Sequence, residues 1–105
     1  MKKYLKTNKE NTEVKIELKY NLGGLNYFNY KNESRGYWLH IQPLEIERKG
    51  DCTIESYQCF SGYKALILET KRKSDKAYTK ALEMLEAKKT EMLEIILTNN
   101  NLNLI

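Results

Sequence analysis

The sequence predicts an α+β fold: an antiparallel β-meander of about four strands, followed by two C-terminal helices packed on one of its faces. Three observations support this prediction. Apolar and polar residues alternate from residue 13 to 22, the pairs Gly23-Gly24 and Gly50-Asp51 interrupt runs of strand-forming residues, and the apolar period lengthens after Gly62. We expect residues 1–105 to form a single domain with frayed segments at 1–12 and 99–105.

The first predicted strand has the period of two that is typical of a half-buried strand. The residues expected on its apolar face are Val14, Ile16, Leu18, Tyr20 and Leu22. Gly23-Gly24 can adopt the positive φ angles of a tight hairpin turn, so the chain is expected to turn back into a second strand over residues 25–30.

A third strand is predicted over residues 37–48, and a fourth over residues 52–60 after the Gly50-Asp51 turn. Within the third strand, Tyr37, Leu39 and Ile41 share one face, whereas Leu44 and Ile46 fall on the other. A β-bulge or bend at Gln42-Pro43 would account for this switch, and a proline favours an edge or irregular position over a central one.

Two helices are predicted after residue 62. Tyr63, Leu66, Ile67 and Thr70 have helical spacing, with Ser61 as a plausible N-cap. A second helix is predicted over residues 75–98, with Ser74 as its cap and Asp75 at the positive end of the helix dipole. Lys88 and Lys89 interrupt its apolar stripe, which suggests that the helix runs past the sheet or meets a partner. A single helix over residues 63–98 is the alternative.

Composition places few limits on the partners. The formal charge of +4 and the pI near 9.0 are compatible with nucleic acid or an acidic protein surface. The sequence contains no apolar run typical of a secretory signal or a membrane span, so we expect a soluble protein in the cytoplasm of a bacterial host, without a membrane partner. Cys52 and Cys59, seven residues apart on one predicted strand, would lie roughly 23 Å apart, whereas a disulfide needs Cα atoms within about 7 Å.

The residues needed for catalysis are sparse. His40 is the one histidine, so a zinc set with the two cysteines is not formed, and neither glycine-rich phosphate-binding pattern is present. Glu45 and Glu47 share a strand face, but alternating charge on a solvated strand explains them better than acid–base chemistry. We therefore expect a protein that is not an enzyme and has no cofactor and no metal.

Aromatic and basic residues are the best candidates for binding. Single-stranded nucleic-acid binders place aromatic rings beside basic groups, and the same residue types are enriched at protein–protein hot spots. The candidate binding residues are Tyr27, Tyr30, Lys31, Arg35, Trp38, His40, Lys71, Arg72 and Lys73. Packing inside the fold is favoured for Tyr27, Phe28 and Tyr37, a plain surface position is favoured for His40, and a solvated helix end is favoured for residues 71–73. For Trp38, whose parity opposes that of Leu39 and Ile41, packing and recognition remain equally open.

Two segments, GGLNYFNYKNESRGYWLHIQPLE and FSGYKALILETKRKSDKA, resemble small uncharacterised accessory proteins of bacterial plasmids, prophages and conjugative elements. The resemblance covers about residues 18–80 and implies no activity. It implies a mobile-element or phage protein, a setting in which small proteins often inhibit host defence. The leading hypothesis is therefore a non-enzymatic inhibitor of anti-CRISPR type that binds an effector protein or ribonucleoprotein of the host. The alternatives are a direct DNA- or RNA-binding accessory protein, and a homodimer formed through the long C-terminal helix.

Overall fold

The computed structural model describes residues 1–27 and 29–105 and shows an α+β fold with an antiparallel sheet and one C-terminal helix. The described elements, in chain order, are β1 (Lys2–Lys6), β2 (Thr12–Asn21), β3 (Gly24–Asn26), β4 (Lys31–Glu33), β5 (Gly36–Lys49), β6 (Cys52–Ser56), β7 (Tyr63–Glu69) and α1 (Asp75–Asn99). The fold class predicted from the sequence is confirmed. The predicted count of four strands and two helices is wrong.

The 14-residue strand β5 organises the main sheet. On one side it pairs with β2 over residues 36–45, and β1 pairs with the far side of β2. On its other side the first half of β5 pairs with β7 and the second half pairs with β6. β3 and β4 pair only with each other and form a separate two-stranded hairpin.

One face of the sheet is covered by α1. Val14, Ile16 and Leu18 on β2 lie opposite Pro43, Ile41 and Leu39 on β5 in the register, and all of them are buried. The period of two predicted for β2 is therefore confirmed as far as Tyr20, whose ring packs against that of Tyr37. The opposite side of the main sheet, which carries Trp38 and His40, is called the open face below.

The helix begins where the sequence predicts. Ser74 is its N-cap, with its side-chain oxygen accepting a hydrogen bond from the Ala77 amide at 3.2 Å. Ala81 and Leu85 pack with Leu18, and Ile96 packs with Val14, so α1 contacts the sheet on both sides of the half-buried Lys88-Lys89 pair. The two lysines thus interrupt the apolar stripe without ending the contact between helix and sheet.

The helix predicted at residues 63–70 is wrong, because Tyr63–Glu69 forms strand β7. This segment contains four consecutive apolar residues at 65–68, a run that fits a buried strand as well as a helix. A register shift opposite Tyr37 and Trp38 leaves both Ile67 and Leu68 packed against the helix side of the sheet. The bulge places Ile67 and Leu68 on the same side, whereas Leu66 lies opposite Trp38, so the apolar residues of β7 do not follow a simple period of two. The alternative of one helix over residues 63–98 fails for the same reason.

The chain ends are paired, although the sequence predicts that they fray. Lys2–Lys6 forms β1, and Thr7 bridges Leu104 in the tail. Leu102 is buried, and the Asn103 amide donates to the side-chain oxygen of Asn8 at 2.9 Å. Leu5 packs against the core cluster that includes Val14, so an apolar side chain at each end joins the backbone pairing in holding the ends in place.

The expectations for the second, third and fourth strands need correction. Gly23 and Gly24 have the predicted positive φ angles, 78° and 103°, but β3 pairs with β4 and does not return along β2.

Pro43 lies in the central strand, and the register with β2 continues through it. It is tolerated there because β7 pairs with β5 only up to Ile41 and β6 only from Glu45 onward. The predicted turn at Gly50-Asp51 is confirmed, whereas β6 ends at Ser56, short of the predicted residue 60.

Candidate functional site

A projecting hairpin carries the most exposed group of apolar side chains in the described part of the chain. We call it the arm: Leu22, Gly23 and the β3–β4 hairpin, described at residues 22–27 and 29–33. Exposed fractions are 69% for Leu22, 47% for Leu25, 78% for Tyr27 and 81% for Tyr30. The arm therefore presents two leucines and two tyrosines to solvent on one short segment.

Local hydrogen bonds determine the path of the arm. The Asn21 side-chain oxygen accepts from the Gly23 amide at 2.9 Å where the chain leaves β2. At the tip, the Tyr30 amide donates to the Asn26 carbonyl at 2.8 Å, and Tyr30 has a φ of 56°. An alanine Cβ at Gly23 would lie 2.8 Å from the Glu33 carbonyl oxygen, so a glycine is needed for the chain to pass this point.

Basic residues lie at the base of the arm. The Arg35 guanidinium donates through Nε to the Leu22 carbonyl at 2.9 Å, and the Arg35 carbonyl accepts from the Thr70 amide at 3.1 Å. Residues 71–73, here called the basic loop, follow directly and join β7 to α1. Lys71, Arg72 and Lys73 are all exposed, as is Lys31 on β4. The topology thus places Arg35 beside the start of the basic loop, whereas Lys31 lies towards the tip of the arm, opposite Asn26.

Trp38 lies on the open face beside the arm. Its indole N–H donates to the Ser34 carbonyl at 3.0 Å, and the Lys64 ammonium lies 4.9 Å from the ring centroid. The side chain is half-buried, whereas its neighbour Tyr37 points to the opposite face and is 2% exposed. The parity argument therefore separates these two residues correctly, although a lysine occupies part of the surface around the indole.

His40 is also half-buried on the open face, opposite Lys64 in the register with β7 and opposite Glu17 in the register with β2. Burial lowers the pKa of His40, and the ammonium groups of Lys19 and Lys64 lower it further. The imidazole is accordingly held in its neutral form near pH 7. It can accept or donate a hydrogen bond there, but it does not add to the positive charge at the base of the arm.

The structure corrects two expectations about side chains and reveals two residues that no sequence pattern indicates. The sequence predicts Tyr27 inside the fold and Leu22 on the apolar face of β2, but both are exposed because the chain leaves the sheet after Asn21. Phe28, also expected to pack, lies outside the described residues. Glu33 and Lys64 contact each other beside Trp38, with 2.6 Å between the Glu33 carboxylate oxygen and the Lys64 Nζ. The helix predicted at residues 63–70 hides this pair, since it removes Lys64 from the sheet.

Other residues considered for chemistry lie away from the arm. Glu47 forms an ion pair with Lys49 at 3.0 Å, and Cys52 and Cys59 are free and exposed. Within residues 1–27 and 29–105, no three histidine, cysteine, aspartate or glutamate side chains form a group that could hold a metal ion. The arrangement at the arm combines apolar contact area with hydrogen-bond donors of positive charge, which is suited to binding a large partner.

The outer side of α1 exposes Met84 at 45% and Ile95 at 43%, while most of its apolar residues pack on the sheet.

Among the described residues, no helix has the length and apolar character needed to cross a bilayer. Comparison with protein-family models, with curated proteins and with solved structures finds no match to this chain.

Proposed function

We propose that this protein is a non-enzymatic accessory protein of a mobile element that inhibits a bacterial antiviral defence system in the host cytoplasm. Its action is of anti-CRISPR type: it binds an effector protein or ribonucleoprotein through the arm and the basic loop. The observation that supports this proposal best is the exposure of Leu22, Leu25, Tyr27 and Tyr30 on one projecting hairpin. The resemblance of residues 18–80 to mobile-element proteins supports the choice of partner.

Energetics favour a binding role for the arm. Burying a large apolar side chain that was exposed contributes about 1.5–3 kcal/mol, and clustered exposed apolar residues mark interaction sites more often than scattered ones do. Tyrosine is enriched at hot spots because it buries a large area at low entropic cost. Four such side chains on one hairpin can offset a substantial part of the cost of association.

The charges around the arm define the chemistry of the partner. Lys31, Arg35 and the three residues of the basic loop are positive, while the one carboxylate of the arm, Glu33, is already paired with Lys64. An effector surface that has an apolar pocket bordered by carboxylates would complement this arrangement. Leu22 and Leu25 favour such a pocket, since aliphatic side chains do not stack on bases as aromatic rings do.

The proposal is tested by gel filtration and inhibition assays with a panel of purified defence effectors. The double variant Tyr27→Ala/Tyr30→Ala should weaken binding and inhibition by at least about tenfold, because truncating a hot-spot residue typically costs about 1 kcal/mol or more. Tyr57→Ala is the matched control, since Tyr57 is also exposed, at 56%, but lies after β6. Failure to bind any member of a broad panel would count heavily against the proposal, and an equal effect of the control would remove the arm from it.

A direct DNA- or RNA-binding function is the second candidate, and the exposed rings of Tyr27 and Tyr30 at the tip of the arm, together with the basic loop at its base, favour it. Bases could stack on the two exposed rings while the basic loop neutralises phosphates. This function predicts nucleic acid in the purified protein, visible in the 260/280 nm absorbance ratio, and an affinity that falls steeply with salt. Replacing Lys71, Arg72 and Lys73 with alanine should reduce the salt slope by up to about three. The control Lys49→Ala should leave the slope unchanged, and binding that is absent or insensitive to salt excludes this candidate.

A further inference from the structure

The carboxylate of Glu33 is the point at which the arm is joined to the main sheet by side chains. It accepts a hydrogen bond from the ammonium group of Lys64 on β7, with 2.6 Å between the two atoms. The pair is partly shielded from water, with exposed side-chain fractions of 19% for Glu33 and 33% for Lys64. One carboxylate therefore connects β4 with β7 of the main sheet.

Lys64 extends this connection to the open face. Its ammonium group lies 4.9 Å from the centroid of the Trp38 ring while it donates to Glu33. Trp38 in turn donates to the Ser34 carbonyl, one residue after Glu33. The end of β4 is thereby held against β7 by the Glu33–Lys64 ion pair, and the residue that follows it is held against β5 by the Trp38–Ser34 hydrogen bond.

The arm has few alternatives to this contact. β3 and β4 pair only with each other, so no backbone ladder joins the hairpin to the main sheet. The Arg35–Leu22 hydrogen bond ties the two ends of the arm together at its base, but it does not reach the open face. Beyond the local hydrogen bonds at its base, the direction in which the arm projects therefore depends on the side-chain contacts of Glu33 and Trp38.

We infer that Glu33 is a positioning residue: through Lys64 it fixes the orientation of the arm against the open face before any partner binds. The role of this orientation in partner affinity rests on the function proposed above, whereas the orientation itself does not. A preoriented arm loses less conformational entropy on binding than a freely moving one, so the pair would contribute to affinity without touching the partner.

Amide hydrogen exchange of the free protein tests the inference without a partner. The paired amides of residues 24–26 and 31–33 are the probes. Glu33→Gln and Lys64→Met should each raise their exchange rates about threefold to tenfold, as expected for a hydrogen-bonded ion pair that is partly shielded. The double variant should show no more than the larger single effect, because both substitutions remove the same contact. Glu47→Gln is the control for loss of a carboxylate charge, since it removes a more exposed ion pair, with Lys49, at the far end of β5.

Trp38 provides a second measurement, because it is the only tryptophan in the chain. Release of the arm changes the surroundings of the indole, so Glu33→Gln should shift its emission while Glu47→Gln should not. Unchanged exchange and emission in Glu33→Gln, or strictly additive effects in the double variant, would overturn the inference. A failure of every effector to bind would refute the proposed function and leave these two results standing.

Discussion

Replacing Gly36 with alanine tests the close approach of β5 and β7 at the base of the arm. An alanine Cβ at this position would lie 2.1 Å from the Leu68 carbonyl oxygen and 2.9 Å from the Glu69 Cα, which are both backbone atoms. Since ordinary van der Waals contacts of a Cβ begin at 3.4 Å, the two strands must separate by about 1 Å to admit the methyl group.

The energetic cost follows from the bonds that this separation stretches. The Thr70 amide and the Arg35 carbonyl are 3.1 Å apart, and an increase of about 1 Å takes them beyond hydrogen-bonding distance. Each backbone hydrogen bond that is lost costs about 0.5–1.5 kcal/mol, and the φ of Gly36, 156°, adds strain for an alanine. We expect the free energy of unfolding to fall by about 3–4 kcal/mol, with two bonds broken and the strain included.

Urea denaturation followed by Trp38 fluorescence and by circular dichroism measures this change. Gly50→Ala is the matched control, because Gly50 also has a positive φ, 57°, but no atom lies within 4 Å of the position that an alanine Cβ would occupy there. It should cost only the backbone strain, about 1–2 kcal/mol. Equal losses of unfolding free energy in the two variants would refute the close approach of β5 and β7.

Three further outcomes are expected. The hydrogen bond from Arg48 holds the pKa of Glu13 below its ordinary value of 4.5. The ion pair therefore stabilises the fold above pH 4.5, and this stabilisation is lost as the pH falls through the lowered pKa. Urea midpoints measured from about pH 6 to pH 3 should fall less steeply in Glu13→Gln than in the unchanged protein. Ser74→Ala should cost about 1 kcal/mol of unfolding free energy, since it removes the N-cap of α1, and unchanged helix stability would contradict the cap. Leu85→Ala, at a fully buried position, should cost about 2–5 kcal/mol, whereas Met84→Ala, at an exposed one, should stay within about 0.5 kcal/mol.

The sequence predicts correctly those elements whose local pattern agrees with their tertiary environment. The alternation on β2 indicates a half-buried strand, and Ser74 followed by Asp75 marks the start of α1 within one residue. Both segments have one buried side and one solvated side, so their periodicity is unambiguous.

The errors occur where pairing over long distances in the sequence decides the structure. Residues 65–68 are all apolar, so their own pattern does not distinguish a strand from a helix. They form a strand because the first half of β5 has a free edge on the side away from β2, and no local pattern reveals that edge. Lys2–Lys6 is polar enough to suggest an unstructured segment, yet its backbone pairs with the edge of β2. The turn at Gly23-Gly24 is evident from its residues, but the partner of β3 is not, because turn residues set the direction of the chain only locally.

The same limit applies to the candidate site. Parity alone distinguishes Trp38 from Tyr37, since both belong to a regular strand. It does not reveal that Tyr27 and Leu22 are exposed, because these residues have left the sheet and no longer obey its period. The adjacency of Arg35 and the basic loop depends on the β5–β7 pairing, which a helix over residues 63–70 would not allow.

The free thiol of Cys52 is a suitable site for attaching a label with which to study the arm. Cys52 begins β6 just after the tight turn at Gly50-Asp51, at the opposite end of β5 from Gly36, and it is exposed. With Cys59 changed to serine, a maleimide dye on Cys52 would report tumbling, distance changes or surface immobilisation without obstructing Tyr27 or Tyr30. Strand β6, which pairs with the end of β5 that is remote from the arm, therefore supplies an attachment point for single-molecule measurements.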